Sequence, residues 1–340
     1  MIEEKNSNKR VTIRDIARRT GYSVSTVSKA LNDSHEISEA TRQQIIKVCN
    51  EHGYIPNKTA LSLRSGKNYV IAFIIPSIED TFYARISHGI QHEVINTNYS
   101  ITTCITRDSL EKEMYLIKKV FNQVDAFIVS LSKEAVQKKD YAHLDSIIEA
   151  GKPLVLINNN IEELNCYKIL SNNKLSFKNL INHIHRKKVR NLVIVSSQED
   201  EMSLNKLKTL KGELDLVLSN SFNKHVIAAP IDVLDQSLAN LIKKQDIDCV
   251  LSLDEEASFA AIRIVTHLGM KVPNDIRLVG YMSEKVAENL PIPFTTINQH
   301  RKTMGIEAVR LILHQLEKNS DNFKNRIIEI NSNVSERASF

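Results

Sequence analysis

In Val11-Thr12-Ile13-Arg14-Asp15-Ile16-Ala17-Arg18-Arg19-Thr20-Gly21-Tyr22-Ser23-Val24-Ser25-Thr26-Val27-Ser28-Lys29-Ala30-Leu31-Asn32, two short helical periods are separated by a single glycine. Thr12 stands where an N-cap belongs, and Asp15, three residues on, where a capping-box partner reaches back. Ile13, Ile16 and Ala17 recur at i, i+3 and i+4 and give the first helix one apolar face. Gly21 supplies the turn, because a residue tolerant of positive φ lets two helices pack across so short a connection. From the second helix, Ser23 to Leu31, the residues Val27, Ala30 and Leu31 face inward. Ser25, Thr26, Ser28 and Lys29 are left outside. Ser38 is placed to cap a third helix, buried through Ile45, Val48 and Cys49 and closed by Gly53.

The outer face of the second helix is short, polar and uncluttered, as insertion into a DNA major groove requires. Hydroxyls reach phosphate oxygens there, while one long basic side chain reaches base edges. On these residues alone, a three-helix bundle used only for packing or protein contact stays open. Charge adds a second indication. Met1 to Lys67 carries 12 Lys and Arg against 7 Asp and Glu, and the rest of the chain holds 33 of each. The whole formal excess of +5 therefore sits in the first fifth. A basic module on a neutral body is suited to meeting a polyanion.

A length of 340 residues, 42% hydrophobic and 25% charged, suits a small module plus a two-lobed body with a sizeable core. No apolar run approaches the ~20 residues of a membrane span, and the first ten residues are polar rather than signal-like. A cytoplasmic, nucleoid-associated protein with no membrane partner is expected. Cys49, Cys104, Cys166 and Cys249 stand far apart with no CxxC pair, which speaks for reduced thiols rather than a zinc ribbon or disulfide framework. After a polar connector at 57–67, apolar runs of strand length begin. They are Tyr69 to Ile75, Ile101 to Thr106, Ala126 to Leu131, Leu154 to Asn158, Leu192 to Ser196, Cys249 to Leu253 and Ile276 to Tyr281. Helical stretches such as Phe82 to Asn96, and Ser258 to Leu268 ended by Gly269, lie between them. Runs apolar on both faces belong to parallel strands covered by helices on both sides. Residues 198–231 resolve into no clear period. An enzyme is not expected: GxSxG, GxxxxGK, HExxH and GxGxxG are all absent. His88 and His92 share a helix face, but Glu93 makes no recognised metal triad with them, so they are expected at the surface. Neither a metal nor a cofactor is implied.

The opening stretch, continued by Ile37-Ser38-Glu39-Ala40-Thr41-Arg42 and Gly53-Tyr54-Ile55-Pro56-Asn57, resembles the helix-turn-helix of the lactose-repressor (LacI/GalR) family of bacterial transcription regulators. The resemblance implies three regions: a helix-turn-helix domain at 1–56, a hinge helix at 57–67, and a two-lobed effector-binding and dimerisation domain at 68–340. The implied fold is a small all-α domain plus an α/β, periplasmic-binding-protein-like (type I) body with parallel sheets. Position by position, it places base reading on Val24, Ser25 and Lys29, and phosphate contacts on Thr12, Ser23, Thr26, Ser28 and Asn32. In the family the hinge orders on DNA with one leucine per chain wedged into the minor groove. This implies Leu63, with Arg64 beside it and Asn57 as the hinge cap. The implied partner is a pseudo-palindromic operator in double-stranded DNA, bound by a homodimer that represses and answers to a small-molecule effector.

In an open α/β sheet, ligands bind beyond the carboxyl ends of the strands. Those ends are rich in Asn, Asp and Ser here, suited to a polar neutral ligand such as a sugar. The weaker resemblance over the body (Pro76 to Tyr83, Asn172-Asn173, Asp254, Val272 to Ile276, Gly280-Tyr281, Pro293 to Gln299) implies effector contacts at Ser77, Asp80, Phe82, Asn158, Asn172, Asp254 and Tyr281. Departures gather at the same place. Leu253 precedes the aspartate where the family has Asn, and Met282 follows Tyr281 where it has Asp. Lys188-Val189 replaces a Gly-His pair, and Glu199 to Leu210 holds no arginine. These changes remove polar anchors that select one sugar over another. Three readings stay open at this point: a regulator with an unusual effector, a regulator with a degenerate, effector-free body, and a sugar-binding protein with no role on DNA.

Overall fold

The computed structural model describes residues 11–31, 36–54, 66–197, 201–217, 222–318 and 326–340. The chain divides into two compact units, Met1–Asn68 and Tyr69–Phe340.

The first unit contains α1 (Ile13–Thr20), α2 (Val24–Leu31) and α3 (Glu39–Glu51). The capping box forms in both directions. Asp15 N–H donates to Thr12 Oγ1 at 3.3 Å, and the Asp15 carboxylate accepts from the Thr12 N–H at 3.0 Å and its hydroxyl at 2.7 Å. Those bonds from Thr12 hold the Asp15 carboxyl below its ordinary range. Gly21 turns the chain at φ +75°, and Ser23 Oγ caps α2 by accepting the Thr26 N–H at 3.0 Å. Ile16, Ala17, Val27, Ala30, Ile45 and Cys49 form the core, with Leu31 and Val48 only half-buried at its fringe. A core of six small side chains is thin, so the caps at Thr12, Ser23 and Ser38 matter to it at about 1 kcal/mol each.

The second unit is built on two six-stranded sheets. The first contains β1 (Val70–Ile75), β2 (Ser100–Ile105), β3 (Ala126–Val129), β4 (Leu154–Ile157), β5 (Tyr167–Asn172) and β11 (Arg326–Asn331), in the order β11-β5-β4-β3-β1-β2. The second contains β6 (Asn191–Ser196), β7 (Asn223–Ala228), β8 (Cys249–Ser252), β9 (Arg277–Gly280), β10 (Thr295–Asn298) and β12 (Asn333–Ser335), in the order β12-β10-β9-β8-β6-β7. All ladders are parallel except β10 with β12. The chain therefore passes between the two lobes three times, after β5, β10 and β11. Strands β3, β4 and β8 are buried along their whole length, as parallel strands sheathed by helices require.

Two helices fix the first lobe. In α4 (Thr81–Val94) and α13 (Arg301–Lys318), Ile86, Ile90 and Val94 meet Met304, Ala308, Val309 and Ile312 in one core. The helices touch backbone to backbone: a Cβ on Gly89 would lie 2.0 Å from the Lys302 carbonyl oxygen, and one on Gly305 would lie 2.1 Å from that of Ile86.

The C-terminal residues close the second lobe. Ser339 Oγ donates to the Leu278 carbonyl at 2.6 Å and accepts the Thr295 N–H at 2.8 Å, and Phe340 is buried. Arg337 reaches α12 (Glu284–Asn289), donating to the Glu284 carboxylate and to Glu288 at 3.1 Å. Burial pushes the Glu284 carboxyl up, but hydrogen bonds from Arg337, Ser335 and Thr296 outweigh it, and the group ends below its ordinary value. A carboxyl depressed in the folded state stabilises the fold above its unfolded pKa of about 4.3, and that stability is lost as pH falls through the folded value. Arg337→Ala is expected to cost about 2 kcal/mol at pH 7, since the pair is only partly buried. Thermal melts between pH 7 and pH 3 should show the variant converging on the parent as Glu284 becomes protonated in both.

Among the described residues no group of three His, Cys, Asp or Glu side chains stands ready to hold a metal ion, and no helix is long and apolar enough to cross a membrane. His88 and His92 are exposed on α4, and all four cysteines are buried free thiols.

Candidate nucleic-acid interface and ligand cleft

The first unit presents α2 as a short rod with an open side. Ser23, Val24 and Ser25 are exposed, and Thr26, Ser28 and Lys29 are half-buried along its flank. Ser23 and Thr26 hydroxyls lie 2.9 Å apart, so they act as one hydrogen-bonding pair at the helix start. Thr12 is exposed, though its hydroxyl is engaged with Asp15. Lys29 is the one long cation of α2, and its ammonium is paired with the carboxylate of Glu36, from the turn before α3. Arg14, Arg18 and Arg19 on α1 are exposed as well, cations to which the sequence reading assigned no contact. Asn32, Asn57, Leu63 and Arg64 lie outside the described residues.

In the second unit a cleft of about 1360 Å³ opens between the lobes. That exceeds the roughly 300–1,000 Å³ of ordinary ligand pockets, so the cleft is open enough for a sugar-sized molecule and water. Ser77, Asp80, Phe82, Asn158, Asn172 and Asp254 all line it. Most are already bonded. Asp80 caps α4 through the Phe82 N–H at 2.7 Å, and Asn158 Oδ1 accepts from the Ser171 N–H at 2.8 Å and its hydroxyl at 2.9 Å. Asn172 accepts the Lys174 N–H at 2.9 Å and donates to Glu329 at 2.8 Å. Asp254 caps α11 (Glu255–His267) through the Ala257 N–H at 2.8 Å. It also accepts from Ser196 Oγ at 2.9 Å, from the Ser197 N–H at 2.8 Å and from the Ser197 hydroxyl at 2.7 Å. With four donors on two oxygens, Asp254 is committed to holding its own loop.

Tyr281 requires a correction. It does not line the cleft; its side chain is completely buried in the second lobe, and its hydroxyl finds no protein partner. Burial drives the phenol well above its ordinary pKa. Met282 and Leu253 are buried too, each in one of the two cores of that lobe, so neither brings a polar group to the cleft.

The structure brings in residues that strand ends alone did not reveal. Lys206, on α9 (Glu201–Val217), lines the cleft with its ammonium 4.4 Å from the centre of the Tyr281 ring, donating to the Leu253 carbonyl at 2.9 Å. Arg301, the first residue of α13, lies 5.3 Å over the Phe82 ring and donates from Nη1 to Thr81 Oγ1 at 3.2 Å. The Thr81 hydroxyl in turn donates to Glu255, linking the first lobe to the second across the cleft. Burial pulls the Arg301 guanidinium below its ordinary value, against the opposing pull of Glu255 and Asp80. Arg301 lies beyond the strand-end loops to which the sequence pointed, at the start of a helix that crosses back to the first lobe.

The chain thus joins a three-helix unit with an exposed face on its second helix to a two-lobed α/β unit with a polar cleft, the two parts of regulators that couple a DNA-reading module to a type I periplasmic-binding-like domain. Residues 12–57 match the profile of bacterial regulatory proteins of the lacI family, and residues 182–340 match that of the periplasmic binding protein-like domain. Among curated relatives, the HTH-type transcriptional repressor PurR of Aliivibrio fischeri (strain MJ11) is 24% identical over 96% of this chain and 98% of its own. The ribose operon repressor of Haemophilus influenzae is 25% identical over 94% of this chain and 96% of its own. Among solved structures, the lac repressor dimer bound to operator and the anti-inducer ONPF shares the fold with a TM-score of 0.78, at 18% identity over 97% of this chain and 99% of that one. Residues 12–57 thus carry the DNA-binding segment of the lacI family of bacterial regulatory proteins, and the chain is a DNA-binding transcription regulator.

Proposed function

We propose that this regulator is a repressor that binds a pseudo-palindromic operator as a homodimer and releases or tightens its hold when a small molecule enters the cleft. The observation that carries the reading is the exposed start of α2: a capped, short helix with Ser23, Val24 and Ser25 open to solvent and a single long cation, Lys29, on its flank. In this reading Val24, Ser25 and Lys29 meet base edges in the major groove, and Thr12, Ser23, Thr26 and Ser28 meet phosphates. Leu63, with Arg64 and Asn57, serves the minor groove as the hinge wedge. No catalytic step is assigned to the protein. Selection of duplexes from a random pool by the intact protein tests it; the recovered sites should consist of two half-sites related by a twofold axis.

Dimerisation has a candidate surface in the second unit. β2 and β7 each form one edge of their sheet, and each leaves an apolar side chain exposed, Ile105 on one and Val226 on the other. Tyr115 on α5 (Leu110–Val120) and Val233 on α10 (Ile231–Lys244) are exposed as well. Open strand edges flanked by apolar side chains demand a cover, and a second copy of the chain supplies it in this reading. The double variant Val226→Asp, Val233→Asp should sediment as a folded monomer. Its operator affinity should fall by about a hundredfold or more, because the two half-sites lose their tether.

Effector control is a population shift. The lobes can close to different angles about the three crossings, and a ligand biases the dimer toward one of them. Its leverage equals its differential affinity for the two states and no more.

A further inference from the structure

We infer that the effector of the cleft is an anion, a carboxylate or phosphate carried on a sugar-sized polar body, and that Arg301 receives its charge; this rests on the cleft being the effector site proposed above.

A guanidinium has five N–H groups in a planar fork. Nε and Nη2 both donate to Gln299 Oε1, at 3.3 and 3.2 Å, and Nη1 donates to Thr81 Oγ1 at 3.2 Å. One N–H on each terminal nitrogen is left over. The acceptors in use are an amide and a hydroxyl, both neutral. No carboxylate among the described residues forms an ion pair with Arg301. The closest acidic influences, Glu255 and Asp80, act through space, and both are spoken for: Glu255 accepts from the Thr81 hydroxyl and the Ser283 N–H at 3.3 Å, and Asp80 caps α4. A half-buried cation without a directly bonded counter-ion keeps donors to spare, and a ligand oxyanion supplies the partner they lack.

Geometry favours the same answer. Gln299 is 2% exposed and fixes the plane of the guanidinium, while the Phe82 ring lies against its face, so the fork is oriented before any ligand arrives. A fixed fork matches the paired oxygens of a carboxylate or phosphate. Lys133, Lys174 and Lys206 line the same cleft and add further cations among its carboxylates. The groups that would grip a neutral sugar are the weaker ones here. Asp254 already accepts four hydrogen bonds, and Leu253 and Met282 are buried.

The test is calorimetric titration of the intact protein with D-glucose 6-phosphate, D-ribose 5-phosphate and D-glucuronate, against D-glucose, D-ribose and inorganic phosphate. At least one anionic sugar should bind about tenfold or more tightly than its neutral parent. Arg301→Gln should abolish that margin and Arg301→Lys should keep part of it. Phosphate sugars against glucuronate distinguish the two sources of charge, and inorganic phosphate shows whether the sugar body contributes. Unliganded melting and operator binding of Arg301→Gln establish that it folds. Neutral parents binding as well as the anions, an unchanged margin in Arg301→Gln, or no binding by any anionic probe would each overturn the inference. A protein that selects an operator yet ignores the anions refutes this inference alone; one that prefers no duplex refutes the regulator reading itself.

Discussion

Lys29→Ala is expected to weaken operator binding by about 1–3 kcal/mol and to relax base choice at one position of each half-site. Among the residues assigned to base reading, Val24 and Ser25 are too small to offer more than a sparse readout, so the direct hydrogen bonds fall to Lys29. Its ammonium carries three donors, suited to the O6 and N7 acceptors of guanine. In the free protein it is paired with Glu36, at side-chain exposures of 37% and 54%. An ion pair that open to solvent is worth about 0.2–1 kcal/mol, less than the base contact that replaces or shares it. The folded unit should barely notice the substitution, since Lys29 contributes nothing to the core at Ile16, Val27 and Ile45. Fluorescence anisotropy on the operator and on every single-base variant of one half-site reads both effects. A loss equal on all sequences would mean that Lys29 touches only phosphate.

Gly305→Val should be worse for the protein as a whole, lowering its stability by at least about 3 kcal/mol. Overpacking is usually relieved by rotating a side chain. Here the obstacle is the carbonyl oxygen of Ile86 at 2.1 Å from the new Cβ, with the Ile90 nitrogen at 2.9 Å behind it. Relief demands that α4 and α13 separate, which opens the core formed by Ile86, Ile90, Met304 and Ala308. Because α13 begins at Arg301, displacement of the helix also reaches the cleft. Denaturant unfolding of the second unit, followed by circular dichroism, measures the loss. The neighbouring Ile306→Ala is the comparison, since Ile306 is only half-buried and its loss creates a small defect rather than a clash.

How much of this was legible beforehand divides along physical lines. The helix-turn-helix was written in local signals: a Thr-Asp capping pair, a glycine at positive φ and apolar residues at i, i+3 and i+4. The central strands announced themselves as continuous apolar runs such as Val70–Ile75 and Leu154–Ile157. Of the edge strands, β2 was read as Ile101 to Thr106, but β7 and β11 were not. β7 reads Asn-Lys-His-Val-Ile-Ala because half of it faces solvent, and β11, Arg-Ile-Ile-Glu-Ile-Asn, lies at an edge of the other sheet with four of its six residues exposed. β5 was hidden by Lys168, which is fully buried yet donates to the Leu164 carbonyl at 2.8 Å. Strand-end loops pointed to the cleft, but polar residues there turned out to serve mainly as caps and loop ties, as Asp254 does. Tyr281 was misplaced because the alternation of a strand continues one residue past its end and turns that ring into the core. Arg301 came from a lobe crossing, a place that depends on how distant segments meet and leaves no local trace.

The most direct measurement is binding of the intact protein, at physiological salt, to the duplex it selects from a random pool and to a scrambled duplex of the same composition. A preference of about a thousandfold or more is expected. Equal affinity for the two duplexes, with or without the anionic sugars, would contradict the assignment of α2 as the element that reads DNA.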